Sequence, residues 1–226
     1  MTFSGAKCDC IKKPLNGEYV IINVDLQIKP LNIYRVEMSM LDIDVHKNGF
    51  HFRTINSQDK ELFMAIRAET SDVSAFYKAY PGFLDYNWDM ILKDENELNM
   101  MVFQEPDELL GATCSFQRLQ ESTLELGYDV VKEFRGQGIG SKIVAVLIEI
   151  AHNTFPEREM FIKVRENNMA SRRVAEKCGG VLIGFADAPE VETLQNIIGK
   201  SDNPSNVAKA KEIIEQGKNS VYVYKV

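Results

Sequence analysis

The sequence predicts a mixed α/β fold, a mostly antiparallel sheet flanked by helices, and three observations predict it. Apolar residues alternate in three successive segments, 100–103, 110–116 and 123–131, parted by polar turns at Glu105-Pro106-Asp107 and at 117–122. The pattern then changes to helical periodicity over 138–152 and 169–178, with a strand signal at 160–164 between them. Strands come first and a strand–helix–strand–helix unit follows, which excludes a regularly repeating doubly wound fold.

The remaining elements follow in chain order. Val20, Ile22, Val24, Leu26 and Ile28 alternate, and Tyr34, Val36, Met38 and Met40 alternate again after Lys29-Pro30-Leu31-Asn32. This predicts a β-hairpin in an N-terminal extension, residues 1-47, ahead of a main domain over residues 48-226. An isolated hairpin is marginal in water, so it is expected to pack on the domain or on a second copy, as a homodimer contact. The main domain opens near Asn48-Gly49. Phe50, Phe52 and Thr54 mark a strand, and Ser57 is the expected N-cap of a helix carrying Leu62, Phe63 and Ile66. A second helical region carries Val73, Phe76, Tyr77 and Tyr80 and breaks at Pro81-Gly82. Phe83, Tyr86, Trp88 and Ile91 continue an aromatic stretch suited to core or to a pocket wall. Gly179-Gly180 stops the helix at 169–178. Strands follow at 181–185 and 220–226, and the insert between them has helical signals at 191–198 and 207–214.

Composition narrows the function classes. With 45% apolar and 26% charged residues, the 226-residue chain is an ordinary globular composition. No apolar run approaches the roughly 20 residues needed to span a bilayer. The opening MTFSGAKCDCIKKP lacks the apolar core of a secretory signal. No membrane partner and a cytoplasmic location are therefore expected. A net charge of −7 argues against a nucleic-acid partner, which needs a basic face, and is compatible with a cationic acceptor. Cys8 and Cys10 have no second ligand pair, so the spacing is a poor zinc signature. His46, His51 and His152 show no metal-ligand pairing, and no metal is expected; His152 reads as a charge complement at a helix C-terminus.

The chemistry centres on Phe134-Arg135-Gly136-Gln137-Gly138-Ile139-Gly140-Ser141-Lys142, which follows a strand and opens an apolar helix. A helix N-terminus offers unpaired N–H groups and partial positive charge, which favour a phosphate. Glycine lets the backbone approach closely and adopt conformations that a Cβ forbids. The string is not a dinucleotide loop, Gly-x-Gly-x-x-Gly, because its third glycine comes one residue early. Nor is it a nucleotide-hydrolase loop, because it ends Gly-Ser-Lys.

At this loop the sequence resembles the GNAT superfamily of acetyl-CoA-dependent acyltransferases. The family's Arg/Gln-x-x-Gly-x-Gly/Ala is matched by Arg135, Gly138 and Gly140. A second match is Asn168-Met169-Ala170-Ser171 followed by Glu176-Lys177-Cys178-Gly179, similar to the family's Asn-x-x-Ser/Ala helix opening with its Glu-Lys-x-Gly exit. The resemblance implies a GNAT-like sheet, acetyl-CoA as co-substrate, and an amine acceptor, small molecule or peptide. It implies that Gly136, Gln137, Gly138, Ile139, Gly140 and Ser141 hold the cofactor's pyrophosphate through backbone amides, with Arg135. It also implies that Tyr128, Asp129 and Val130 pair with the pantetheine arm, and that Asn168, with Ser171 close by, bonds the same arm. Asn168 is at the same time a suitable helix N-cap.

Acetyl transfer needs an unprotonated amine, a polarised thioester carbonyl and a proton for the leaving thiolate. Glu125 is the candidate base. It shares a strand face with Gly127 and Asp129, and Glu125-Leu126-Gly127-Tyr128 resembles a GNAT arrangement whose glutamate faces the acceptor. The resemblance credits a backbone N–H, here that of Val130, with polarising the carbonyl. The usual proton donor, a tyrosine seven residues after the helix-opening asparagine, is replaced by Ala175. Ser171, Tyr222, Tyr224 or water are the substitutes. The expected activity is acetyl transfer to an amine by direct attack. The competing reading is a catalytically weak acyl-CoA-binding sensor or interaction module.

Overall fold

A short turn sets the register at the start of the sheet. The computed structural model describes residues 20–23, 41–70, 88–189, 191, 194–195 and 204–226. Strand β1 (Val20–Asn23) runs antiparallel to β2 (Asp42–Lys47), with Val20 opposite Val45. Asn48 and Gly49 then take φ of 54° and 78°. Two consecutive positive φ values match the right-handed twist of a hairpin, and Asn-Gly reaches them at least cost. The turn returns the chain as β3 (Phe50–Thr54), with Lys47 opposite Phe50, His46 opposite His51 and Asp44 opposite Arg53.

The chain forms two compact units, Met1–Arg158 and Glu159–Val226. In the first, β3 is followed by α1 (Lys60–Thr70), a helical segment over 88–93, β4 (Glu97–Gln104), β5 (Leu109–Gln117), β6 (Thr123–Val130) and α2 (Ile139–Thr154). Its strands lie side by side in chain order, β1 to β6, each antiparallel to the next. Alternation sends Phe52, Met100, Phe116 and Leu126 to one face, all buried. The ring of Phe155, just past α2, meets Phe116 edge-on at 5.8 Å, and α2 buries Ile143, Val144, Val146, Leu147, Ile150 and Ala151. The opposite face packs Met101 and Phe103 against Phe63 and Met64 of α1 and against Trp88. Helices therefore cover both faces of the central strands, whereas β2 alternates between buried Ile43 and Val45 and exposed Asp42 and Asp44.

The second unit contains β7 (Glu159–Arg165), α3 (Met169–Lys177), β8 (Val181–Ala186), α4 (Pro204–Gly217) and β9 (Val221–Lys225). The last strand inserts between the other two, in the order β7-β9-β8, antiparallel to both. A small core joins Ala188, Val191, Ile214 and Val221. A Cβ at Gly217 would lie 2.6 Å from a methyl of Val191, so the end of α4 packs by glycine contact.

The predicted mixed α/β fold with a mostly antiparallel sheet is the observed one. One local reading differs, one segment gains a strand, and others lie outside the described residues. Residues 42–47, placed by sequence in the extension, form β2 and are hydrogen-bonded to β3. The predicted strand at 34–40 and the helical region at 73–80 lie outside the described residues, as does the pairing of 24–28. Ser57 is not the cap. Asn56 is: its side chain accepts the Gln58 N–H at 2.9 Å, while the Asp59 carboxylate accepts the Asn56 N–H at 2.8 Å. A 3₁₀ turn at Ser57–Asp59 then leads into α1. Asparagine outcompetes the adjacent serine because this reciprocal pair satisfies two N–H groups at once.

Asp59 is also the anchor of Arg53, whose guanidinium donates to its two oxygens at 2.7 and 2.6 Å. The Arg53 hydrogen bond, helped by the Asn56 N–H, holds the Asp59 carboxyl below its ordinary range despite burial. A depressed carboxyl pKa stabilises the fold above the unfolded pKa, and that stability is lost as pH falls through the folded value. Asp59→Asn is expected to cost about 2 kcal/mol near neutrality. The difference from wild type should shrink in thermal denaturation below about pH 4.

Candidate functional site

The loop between β6 and α2 is built to leave backbone amides open. A 3₁₀ turn at Lys132–Phe134 ends β6, and Gly136 and Gly138 then take φ of 77° and 75°. Left-handed values of this kind favour glycine. Gly138 stands at the N-cap of α2, so no side chain caps the helix, and its first turn contains no acidic residue. The N–H groups there keep their partial positive charge. Residues 135–138 are exposed, while the buried apolar face of α2 fixes the helix beneath them. The loop braces itself: Arg135 Nε donates to the Val130 carbonyl at 2.8 Å, and Gln137 Nε2 to the Glu133 carbonyl at 2.7 Å. The side chains of Arg135 and Gln137, two residues that the sequence assigns to the cofactor, thus have a bonding role within the loop. Ile139, Gly140 and Ser141 form the start of α2.

On β6, Leu124 and Leu126 are buried and Glu125, Gly127, Tyr128, Asp129 and Val130 are half-buried. The register sets Glu125 opposite Gln117, Gly127 opposite Ser115 and Asp129 opposite Thr113, all on the face that α1 covers. Gln117 is in turn opposite Glu97 of β4. A row Glu97–Gln117–Glu125 therefore crosses three strands on that face. Gln117 Nε2 donates to Ser115 Oγ at 3.0 Å and to Glu97 Oε1 at 3.4 Å. Burial pushes the Glu97 carboxyl up, while the charge of Arg67 pulls the other way. Sequence reading missed Glu97 because the apolar alternation begins only at Met100. Counting back from the turn at 105–108 would set Glu97 opposite Phe116; the bulge between Val102 and Phe103 shifts the register by one and brings Gln117 there instead.

In the second unit, Asn168 caps α3, its side-chain oxygen accepting the Ser171 N–H at 3.1 Å. Ala175 is fully buried and brings no hydroxyl. Its carbonyl accepts the Gly180 N–H at 2.9 Å, where a Cβ on Gly180 would come within 2.8 Å of that oxygen. Tyr224 is buried, and its hydroxyl donates to Glu176 at 3.1 Å and receives the Arg172 Nε–H at 3.4 Å. The Arg172 guanidinium also lies 4.1 Å over the Tyr222 ring. Burial raises the thiol pKa of Cys114 and of Cys178, which keeps both protonated and unreactive. Sequence also missed a histidine pair on β2 and β3. His46 and His51, in which the sequence shows no metal-ligand pairing, face each other across the Asn48-Gly49 hairpin.

An antiparallel sheet with helices on both faces of its central strands, and an uncapped glycine-rich helix start directly after a strand, define a fold suited to holding a phosphate-bearing cofactor. Residues 50–181, more than half of the chain, match the acetyltransferase (GNAT) domain, and the chain belongs to that family. Its members use acetyl-CoA as acyl donor. Over 86 residues the chain is 37% identical to the ribosomal-protein-serine acetyltransferase of Escherichia coli (strain K12), a stretch covering 37% of this chain and 47% of that protein. The match thus spans about half the length of this curated relative. Among solved structures, a spermidine N-acetyltransferase from Vibrio cholerae in complex with CoA and spermine aligns with a TM-score of 0.53 at 14% identity, covering 62% of this chain and 86% of that one. A ribosomal-protein alpha-N acetyltransferase in complex with coenzyme A aligns with a TM-score of 0.54 at 14% identity, covering 80% and 94%. At these identities the likeness is one of fold. No helix among the described residues is long and apolar enough to cross a membrane.

Gly127 gives a direct check of the acidic row. A Cβ there would lie 2.5 Å from Ser115 Oγ and 3.1 Å from Gln117 Nε2. Gly127→Ala should force the hydroxyl aside, break the Ser115–Gln117 bond and cost about 1–3 kcal/mol in denaturant unfolding. Adding Ser115→Ala removes the obstructing oxygen and should recover much of that loss.

Proposed function

We propose that the protein transfers an acetyl group from acetyl-CoA to an amine by direct attack, without a covalent enzyme intermediate. The amine nitrogen attacks the thioester carbonyl, the C–S bond breaks, the thiolate leaves, and the nitrogen gives up a proton. The observation that carries this reading is the uncapped start of α2, whose backbone amides at Gly136, Gln137, Gly138, Ile139, Gly140 and Ser141 suit a pyrophosphate. Arg135 supports the assignment by holding the loop against Val130. We assign Tyr128, Asp129 and Val130 to the pantetheine arm through their backbone, with the Val130 N–H polarising the carbonyl. In the second unit we assign Asn168 to the same arm: its side-chain oxygen serves as the cap of α3, and its amide nitrogen is the group offered to the cofactor, with Ser171 nearby.

Glu125 is the proposed base, accepting the amine proton directly or through water. Glu97 adds a second carboxylate to the same row. Its raised pKa makes it a better proton acceptor than an exposed glutamate, and two carboxylates flanking Gln117 favour a cationic acceptor. The named activities of the relatives define two acceptor classes to try first, polyamines and protein N-termini or side chains. A second reading, an acyl-CoA sensor without turnover, is favoured by one observation: Ala175 supplies no acid where a tyrosine is usual. Water or Ser171 supplies the thiolate's proton in the enzyme reading, because Tyr224 is already engaged by Glu176 and Arg172.

Acetyl-CoA offered with polyamines, amino acids, aminoglycosides and peptide N-termini, followed by free-thiol release, separates the two. The enzyme reading predicts release that depends on the acceptor. Tight cofactor binding without turnover across the panel would leave the sensor standing. Glu125→Gln should lower kcat about 100-fold or more with little change in cofactor affinity, and Glu97→Gln should raise KM for cationic acceptors. An unchanged rate and pH profile in Glu125→Gln would remove Glu125 from the mechanism.

A further inference from the structure

The Asn48-Gly49 turn puts His46 directly opposite His51, with Asp44 two residues before His46 on the same face. The two imidazoles stack, centroids 4.0 Å apart and planes within 11°. Both rings are oriented alike. His46 turns Nδ1 to the Glu105 carboxylate at 2.5 Å and Nε2 toward Asp44 Oδ1 at 3.9 Å. His51 turns Nδ1 to Glu108 at 3.7 Å and Nε2 to the same Asp44 oxygen at 2.8 Å. Each histidine thus faces a carboxylate of the β4–β5 turn with one nitrogen and a single shared oxygen with the other. One donor atom from each of Asp44, His46 and His51 lies within 4.8 Å of the others.

Proton bookkeeping shows what this cluster lacks. A neutral imidazole has one N–H. The short Glu105 contact places the His46 proton on Nδ1, so its Nε2 lone pair points toward Asp44. For His51, a proton on Nδ1 aims the Nε2 lone pair at the Asp44 carboxylate. A proton on Nε2 instead leaves Nδ1 bare, a buried atom with no hydrogen-bond partner, facing Glu108. Either tautomer sets lone pairs against carboxylates. Asp44, Glu105 and Glu108 gather three carboxylates around two imidazoles. The neighbouring cation Arg53, which feels Asp44 and Glu108, is committed to Asp59 by two hydrogen bonds. A metal cation held by both Nε2 atoms and Asp44 removes the repulsion there, as a second proton on each ring would without metal.

We propose that Asp44, His46 and His51 bind a divalent first-row transition metal of the zinc type. His46 and His51 ligate through Nε2 and Asp44 through its carboxylate, while Glu105 accepts the Nδ1–H of His46 and Glu108 stands 3.7 Å from Nδ1 of His51. Two imidazoles and a carboxylate suit such metals, whereas calcium and magnesium take oxygen donors. A carboxylate behind each ligating histidine is the outer arrangement that fixes tautomer and raises basicity. Ligation requires the rings to swing out of their stack until both Nε2 atoms lie about 2.0–2.1 Å from the metal. The side chains of His46 and Asp44 are 52% and 56% exposed and that of His51 is 16%, so the first two move to meet the more buried His51, and water completes the coordination. The metal would clip β2, β3 and the β4–β5 turn together, a role independent of acetyl transfer.

The test is titration of the full, chelator-treated chain with Co²⁺, followed by visible absorption and then by displacement with Zn²⁺. One metal per chain is expected, displaced by Zn²⁺. Asp44→Asn and His46→Gln should each weaken binding at least about 10-fold, and Glu105→Gln by about 10-fold. Circular dichroism of these exposed-site variants verifies that they remain folded. Absence of saturable binding by the wild-type chain would overturn the proposal and leave the histidines as proton-bridged pairs. Variants that bind like wild type would overturn it too, placing the metal elsewhere, such as at Cys8 and Cys10.

Discussion

The uncapped first turn of α2 is the feature on which the first unit's arrangement converges. A helix start without a capping side chain is a cost in an isolated helix, and here it is offset by burial of the helix below it. Ile143, Val144, Val146, Leu147 and Ile150 hold α2 on the sheet, and Arg135 ties the loop to the last carbonyl of β6. The exposed amides are therefore presented at a fixed height above the strand end. Glycine at 136 and 138 is favoured by backbone conformation and not by crowding, since nothing lies within 4 Å of a Cβ at either position. Openness around these glycines is what an incoming phosphate needs.

The opposite face of the sheet has a different logic. Its aromatic end, with Phe63, Trp88, Met101 and Phe103, is an ordinary core. Its other end is polar, with Asn99, Thr113 and Ser115 all buried, and Glu97, Gln117 and Glu125 across three strands. Buried polar side chains on a sheet face are costly unless they bond to one another. The Gln117 contacts to Ser115 and Glu97 partly offset that cost, and Gly127 leaves the space in which they form. The row crosses three strands, and only its Glu125 end lies on the strand that leads to the glycine loop; the proposed catalytic role is argued from that position.

How much of this was legible in the sequence depended on the kind of signal. The glycine loop and the helix after it could be read because both conformational need and apolar periodicity are local. The strand at Asp42–Lys47 was missed because its apolar residues, Ile43 and Val45, are few and its outer face is charged. The Asn48-Gly49 pair was read as a domain edge although its turn chemistry fixes the pairing of His46 with His51. Asn56 was passed over for Ser57 because the reciprocal bond with Asp59 belongs to the turn and is invisible in capping preference alone. Glu97 was missed for a longer-range reason: its meaning comes from register with Gln117 and Glu125, which no single segment contains.

The central claim is that cofactor binding energy is concentrated in the backbone amides of residues 136–141. Calorimetric titration of the intact protein with coenzyme A, and separately with pantetheine, tests it most directly, because pantetheine keeps the arm and lacks the pyrophosphate and nucleotide. The account predicts saturable one-to-one binding of coenzyme A and binding of pantetheine weaker by about 100-fold or more, as expected for the loss of charge-assisted hydrogen bonds. Equal affinity for the two ligands would contradict it.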